Sequence, residues 1–200
     1  MVKFKLRKEP KETQENVSGK PVTTQDEKES YGNNLDLSVF ETFSVYKFSI
    51  DYPPVCRVEF NPKSRREAGD IVFHFPDREK VFLSWGILEK AEKKFATAEE
   101  QAEHSLKSVK KSSNVKKIDK VASDTFHLNS HNAVYNRVRV DEISRALFGG
   151  KNTIPHEAHS LHLHCDKSAR YFVLYAMLSP RAPEDFGDLF VQMAKSFKCH

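Results

Sequence analysis

The sequence predicts an α+β protein built on a largely antiparallel β-sheet flanked by helices. Segments whose apolar residues recur at every second position outnumber those with helical spacing. They fall in the order four strands, a helix, four strands, a helix. That order lacks the regular strand–helix alternation of a parallel sheet, so the strands are expected to run antiparallel with helices packed on them. At 200 residues and 23.0 kDa the length fits one domain, read as residues 35–200, preceded by a tail over residues 1–34.

The first strand is read over residues 40–52, where Phe40, Tyr46, Phe48, Ile50 and Tyr52 share even positions before Pro53-Pro54. Cys56, Val58 and Phe60 alternate with Arg57 and Glu59 in a second. Residues 70–75 and 80–87 are apolar on both faces (Ile71, Phe73 and Phe75; Val81, Leu83, Trp85 and Ile87), as strands covered on both sides are. Thr97 with Glu100 forms a capping box ahead of Ala98, Ala102, Leu106 and Val109 at helical spacing. Strands follow over 115–128 and 131–140, then a long connection over 141–159 containing Gly149-Gly150 and Pro155. Residues 160–165 and 170–179 form a hairpin around Asp166-Lys167-Ser168. The closing helix starts near Pro183 and sets Phe186, Leu189, Phe190, Met193 and Phe197 on one stripe.

The tail has few apolar residues after Leu6, too few to offset the entropy of ordering it, and is expected to be disordered. Its start is basic, with Lys3, Lys5, Arg7, Lys8 and Lys11 against Glu9 alone. No apolar stretch follows that start as in a secretory signal, and no run approaches the about 20 residues of a membrane span. The expected location is cytoplasmic. Cys56, Cys165 and Cys199 are too few and scattered for a disulfide framework or a four-cysteine zinc site. A net charge of +4 is too weak an excess to choose nucleic acid as partner.

Four stretches, "FSIDYPPVCRVEF" (48–60), "VFLSWGILE" (81–89) with the capped helix 97–112, "SHNAVYNRVRV" (130–140), and "RYFVLYAMLS" (170–179) with "FVQMAKSFKC" (190–199), together resemble the PsbP-like superfamily. That group includes the oxygen-evolving-complex protein, a Ran-binding nuclear-import factor and DcrB-type proteins. The resemblance covers about residues 40 to 198. It implies an antiparallel sheet with helices on both faces, an α/β/α sandwich, and a binding or assembly role rather than catalysis.

Chemistry-bearing residues concentrate in one place. His156, His159, His162 and His164 lie within a short run ending at Cys165. On a strand His162 and His164 share a face, about 6.5–7 Å apart, while Leu161, Leu163 and Cys165 take the other. Imidazoles so placed suit zinc, copper or nickel, with His159 or His156 as a third ligand from the loop. The same pattern also fits a polar strand face of solvated or hydrogen-bonded histidines. His131, at a turn with His127, reads as turn-stabilising and is the first residue to examine if a pocket forms there. No G-x-S-x-G elbow or glycine-rich phosphate loop is present, so an enzyme is not expected.

A basic run, Lys107, Lys110, Lys111, Lys116, Lys117 and Lys120, contains one acid, Asp119, and Arg137 and Arg139 line a strand face with Tyr135. Such a surface is either solvated or a weak nucleic-acid contact. The connection 141–159 carries Ile143, Leu147 and Phe148, either presented to a partner or docked as a short helix 141–148. The sequence is therefore expected to encode a non-catalytic protein-binding module with no required cofactor. Arg137, Arg139, Leu147 and Phe148 are its contact residues. The alternatives are a metal site, zinc first, at His159, His162 and His164, and nucleic-acid binding.

Overall fold

The computed structural model describes residues 39–145 and 151–200. The expected tail, and with it the basic start, lies outside the described residues, as do Leu147 and Phe148. The elements are β1 (Glu41–Val45), β2 (Phe48–Tyr52), β3 (Arg57–Phe60), β4 (Gly69–His74), β5 (Lys80–Ile87), α1 (Leu88–Glu92), α2 (Ala98–Lys110), β6 (Val115–Leu128), β7 (His131–Arg145), β8 (Lys151–Cys165), β9 (Arg170–Leu178) and α3 (Phe186–Ser196). Seven strands form one sheet in the order β3-β4-β5-β9-β8-β7-β6, antiparallel throughout, and β1-β2 is a separate antiparallel pair.

Strand parity places the helices. Val134 is buried with Ala98 and Ala102 of α2, whereas its neighbours Ala133 and Tyr135 belong to the main core with Phe186, Leu189, Phe190 and Met193 of α3. Successive side chains on a strand point to opposite faces, so α2 and α3 lie on opposite sides of the sheet. The fold is thus the expected α+β sandwich. The stripe foreseen on α3 is buried in full. In α2, Thr97 Oγ1 accepts from the Glu100 N–H at 3.3 Å, and the Glu100 carboxylate accepts from the Ala96 N–H at 2.8 Å. Four exposed N–H groups open any helix, and this exchange satisfies part of that need.

Two sequence expectations are corrected. Residues 40–52 are a hairpin, not one strand: Tyr46 and Lys47 turn the chain at φ 49° and 65°. Two-residue hairpin turns need positive φ and usually announce themselves by Asn-Gly. Here the Tyr46 ring packs 6.1 Å from Trp85 and its hydroxyl donates to the Ser64 carbonyl at 3.3 Å, so tertiary contacts hold a turn with no local signal. Residues 141–145 and 151–159 are paired strand, not loop or helix: β7 and β8 pair through Arg145↔Lys151. Pro155 is tolerated because β9 ends at Leu178 opposite Glu157, leaving β8 with one neighbour beyond that point.

After α3 the chain turns back along β2. Ser49 and Lys198 exchange backbone hydrogen bonds of 2.9 and 2.8 Å, which sets Cys199 and His200 beside the β7 and β8 ends. Phe48 packs between Trp85, Phe172 and Phe197 on the same side. No described helix is long and apolar enough to cross a membrane.

Candidate functional site

The expected metal triad is divided by the sheet. His162 and His164 do share a face, but His159 lies on the other, as strand parity requires once residue 159 is inside β8 rather than in a loop. His159 is 1% exposed and both ring nitrogens are engaged. Tyr135 O–H donates to Nδ1 at 2.8 Å, and Nε2–H donates to Glu157 at 2.7 Å. Glu157 also accepts from Arg137 at 2.8 Å. Burial lowers the His159 pKa against the pull of Glu157. Burial works to raise Glu157, yet the bonds from Arg137 and His159 leave it below the usual carboxylate range. Gly187 lets α3 come close, since a Cβ there would stand 3.2 Å from the His159 ring. The group reads as a closed polar network, not an open ligand set.

On the opposite face His164 Nε2–H donates to Gln101 of α2 at 2.9 Å. His162 is 1% exposed, its Nδ1 has no hydrogen-bond partner, and burial with the neighbouring His164 pushes its pKa down to about 4. His156 Nδ1 faces the Leu178 carbonyl at 3.3 Å, with Glu142 3.6 Å from its Nε2.

A different set converges. The ligand atoms of His131, Cys165, Cys199 and His200 all lie within 4.8 Å of one another. Cys165 Sγ is 3.6 Å from His131 Nε2 and 3.6 Å from His200 Nδ1, and Cys199 Sγ is 3.2 Å from the same His200 nitrogen. Both thiols are buried, His131 is half-buried and His200 is exposed. The Cys199 thiol hydrogen-bonds to Cys165 and, helped by Ser168 and His200 against burial, holds Cys165 far below the usual thiol range; the same shared proton, with burial, pushes Cys199 up. Cys56 stands apart as a buried thiol raised to about 12 by burial.

Arg170 stands opposite Cys165 in the β8–β9 ladder, 4% exposed, with its guanidinium 5.4 and 5.1 Å from the Phe48 and Phe172 ring centres. It donates to the Tyr46 and Arg66 carbonyls, and its Nε has no hydrogen-bond partner. On the other side His131 also lines an open cleft of about 360 Å³, shared with His164, Glu92, Glu99 and Asp166. Sequence reading singled out His131 for such a pocket, set Cys199 aside with the other cysteines as too scattered for a four-cysteine zinc site, and left His200 unremarked.

The basic residues gather at the other end of the sheet. Among the described residues β6 is an edge strand, paired with β7 alone. Lys116, Lys117, Asp119, Lys120 and Val121 are exposed along it, and Ile118 alone among residues 116–121 is half-buried. Lys117 pairs with Asp119 at 2.6 Å. Register breaks fall between Val115 and Lys117 and between Lys120 and Ala122. Arg137 and Arg139 are exposed on β7, the former held by Glu157 and the latter opposite Asp119.

The chain has a PsbP-like fold. The solution structure of cyanobacterial PsbP (CyanoP) from Synechocystis sp. PCC 6803 superimposes with a TM-score of 0.57 at 11% identity, over 84% of this chain and 96% of that one. A Bacteroides thetaiotaomicron protein follows at TM-score 0.43 and 9% identity, over 76% of this chain and 45% of that one. A Pseudomonas aeruginosa protein of unknown function gives 0.44 and 8%, over 78% and 94%. No protein-family model and no curated protein matches the sequence. At these identities the likeness concerns architecture.

Proposed function

We propose that the chain is a non-catalytic binding module whose β6 edge receives an extended, acidic segment of a protein partner. The free edge of β6 carries this reading. An edge strand offers unpaired N–H and C=O groups to any strand that can lie beside it. Here Lys116, Lys117 and Lys120 stand on that edge against Asp119, with Arg137 and Arg139 on the strand behind. Two copies of this edge side by side would set lysine against lysine, which disfavours self-pairing and favours a partner rich in Asp and Glu. The mutual saturation of Tyr135, His159, Glu157 and Arg137 supports a non-catalytic role for the residues that most resemble an acid–base set. Three free cysteines fit a reducing compartment such as the cytoplasm.

The test uses the full chain and an alternating Glu-Val peptide as probe, with its Lys-Val counterpart as control. Amide shifts confined to β6 and β7 on adding the acidic peptide are expected, and Lys116→Glu with Lys117→Glu and Lys120→Glu should abolish them. Equal response to both peptides, or none, overturns the reading. Tighter binding of single-stranded DNA with a steep salt dependence would replace it with nucleic-acid recognition.

A further inference from the structure

We infer that His131, Cys165, Cys199 and His200 form a tetrahedral site for one zinc ion, which clasps the segment after α3 to the ends of β7 and β8. This inference is independent of the β6 edge. Zinc bonds thiolate sulfur at about 2.3 Å and imidazole nitrogen at about 2.0–2.1 Å. At a tetrahedral angle those radii set a sulfur–nitrogen separation of about 3.5 Å. Three of the four such separations here are 3.6, 3.6 and 3.2 Å, and all four ligand atoms lie within 4.8 Å of one another. Two soft sulfurs with two imidazoles in that geometry select zinc over the oxygen-preferring cations.

The surroundings favour the charge state that metal binding needs. The ligands must be thiolate and neutral imidazole. Arg170 is a buried cation at the β9 position paired with Cys165, and its side chain donates to neutral carbonyls at Tyr46 and Arg66. Two thiolates held by a dication leave that cation beside electron-rich sulfur rather than beside neutral thiols. Ser168 Oγ donates to the Cys165 carbonyl at 3.5 Å, which helps fix the backbone that carries this sulfur. When zinc binds, each remaining thiol proton passes to solvent and a sulfur–zinc bond replaces it.

Four protein ligands fill the coordination sphere, so the site is structural. It joins the end of the β7–β8 ladder to the segment after α3, whose backbone tie to the strands, among the described residues, is the Ser49–Lys198 bridge. Removing the metal should therefore loosen residues 198–200 from the sheet.

The experiment uses the full chain made without a histidine tag and dialysed against metal-free buffer. About one zinc per chain is expected by elemental analysis. Cobalt substitution should give the visible bands of a tetrahedral ion together with thiolate-to-metal charge transfer. His200→Ala, at an exposed position, and Cys199→Ser should weaken zinc binding beyond the about 10- to 100-fold typical of outer-shell changes. His164→Ala should leave it unchanged. A substoichiometric zinc content after zinc reconstitution overturns the inference. So does a cobalt spectrum without thiolate charge transfer, or undiminished affinity in a folded Cys199→Ser chain.

Discussion

Replacing His162 by leucine should remove a large part of the protein's acid sensitivity. His162 sits in β8 between Val134 of β7 and Val173 of β9, on the α2 side of the sheet. It is 1% exposed, with Nδ1 unpartnered, and burial first, then the neighbouring His164, holds its pKa at about 4 against a model-peptide value of 6.5. Below 6.5 the unfolded chain takes up a proton that the folded chain refuses until about pH 4. Stability from the neutral ring is thus complete above pH 6.5 and is lost as pH falls towards about 4. At about 1.4 kcal/mol per pH unit that interval corresponds to about 3 kcal/mol. Urea unfolding at a series of pH values, on wild type and His162→Leu, isolates the effect because every other titrating group is shared. Between pH 7 and 4 the wild type should lose about 3 kcal/mol more than the variant, starting near the unfolded-state pKa. Parallel curves would refute the assignment of a buried neutral imidazole.

Gly86→Ala should destabilise by about 1–3 kcal/mol in the same assay, because its Cβ would meet the Tyr171 ring at 2.5 Å in a sheet that cannot part locally. Thr97→Ala should cost about 1 kcal/mol and lower α2 protection in hydrogen exchange, since the Glu100 N–H loses its acceptor. Tyr135→Phe leaves His159 Nδ1 buried without a donor and should cost about 1–3 kcal/mol in urea unfolding.

Most of the architecture was readable from side-chain period. β3, β4, β5, β6 and β9 fall within a residue or two of the alternating segments, and α3 buries the very stripe its spacing marks out. The misreadings share one cause: turns were inferred from glycine and proline. Pro155 led to a loop where residues 141–145 and 151–159 run as β7 and β8, because a one-sided strand tolerates a proline; Gly149-Gly150 lie outside the described residues. Tyr46-Lys47 led to continuous strand where the chain reverses, because aromatic packing against Trp85 and Phe60 stabilises a conformation that neither residue prefers alone. The short α1 was also overlooked; its five residues leave Leu88 and Ala91 as the only buried positions, too few to show a period.

Missing the paired strand at 141–145 and 151–159 is also what hid the Cys/His group. Histidines two apart on one strand do share a face, and that local rule correctly joined His162 to His164. The same rule sends Cys165 through the sheet to the face of Leu163 and Leu161, away from the histidine beside it in sequence. What Cys165 meets there is set by register, which no local spacing contains. In the β7–β8 pair Ala133 faces Leu163, Tyr135 faces Leu161 and Arg137 faces His159. Continuing that ladder by one step of two places Cys165 across from His131, the residue its sulfur contacts at 3.6 Å. A long hairpin read in full would therefore have led from the turn histidine to the cysteine without any motif. The remaining pair, Cys199 and His200, is brought in by the backbone bridge from Lys198 to Ser49 and by Phe197 packing on Phe48 and Phe172, the bridge joining segments about 150 residues apart in a contact that local patterning does not encode.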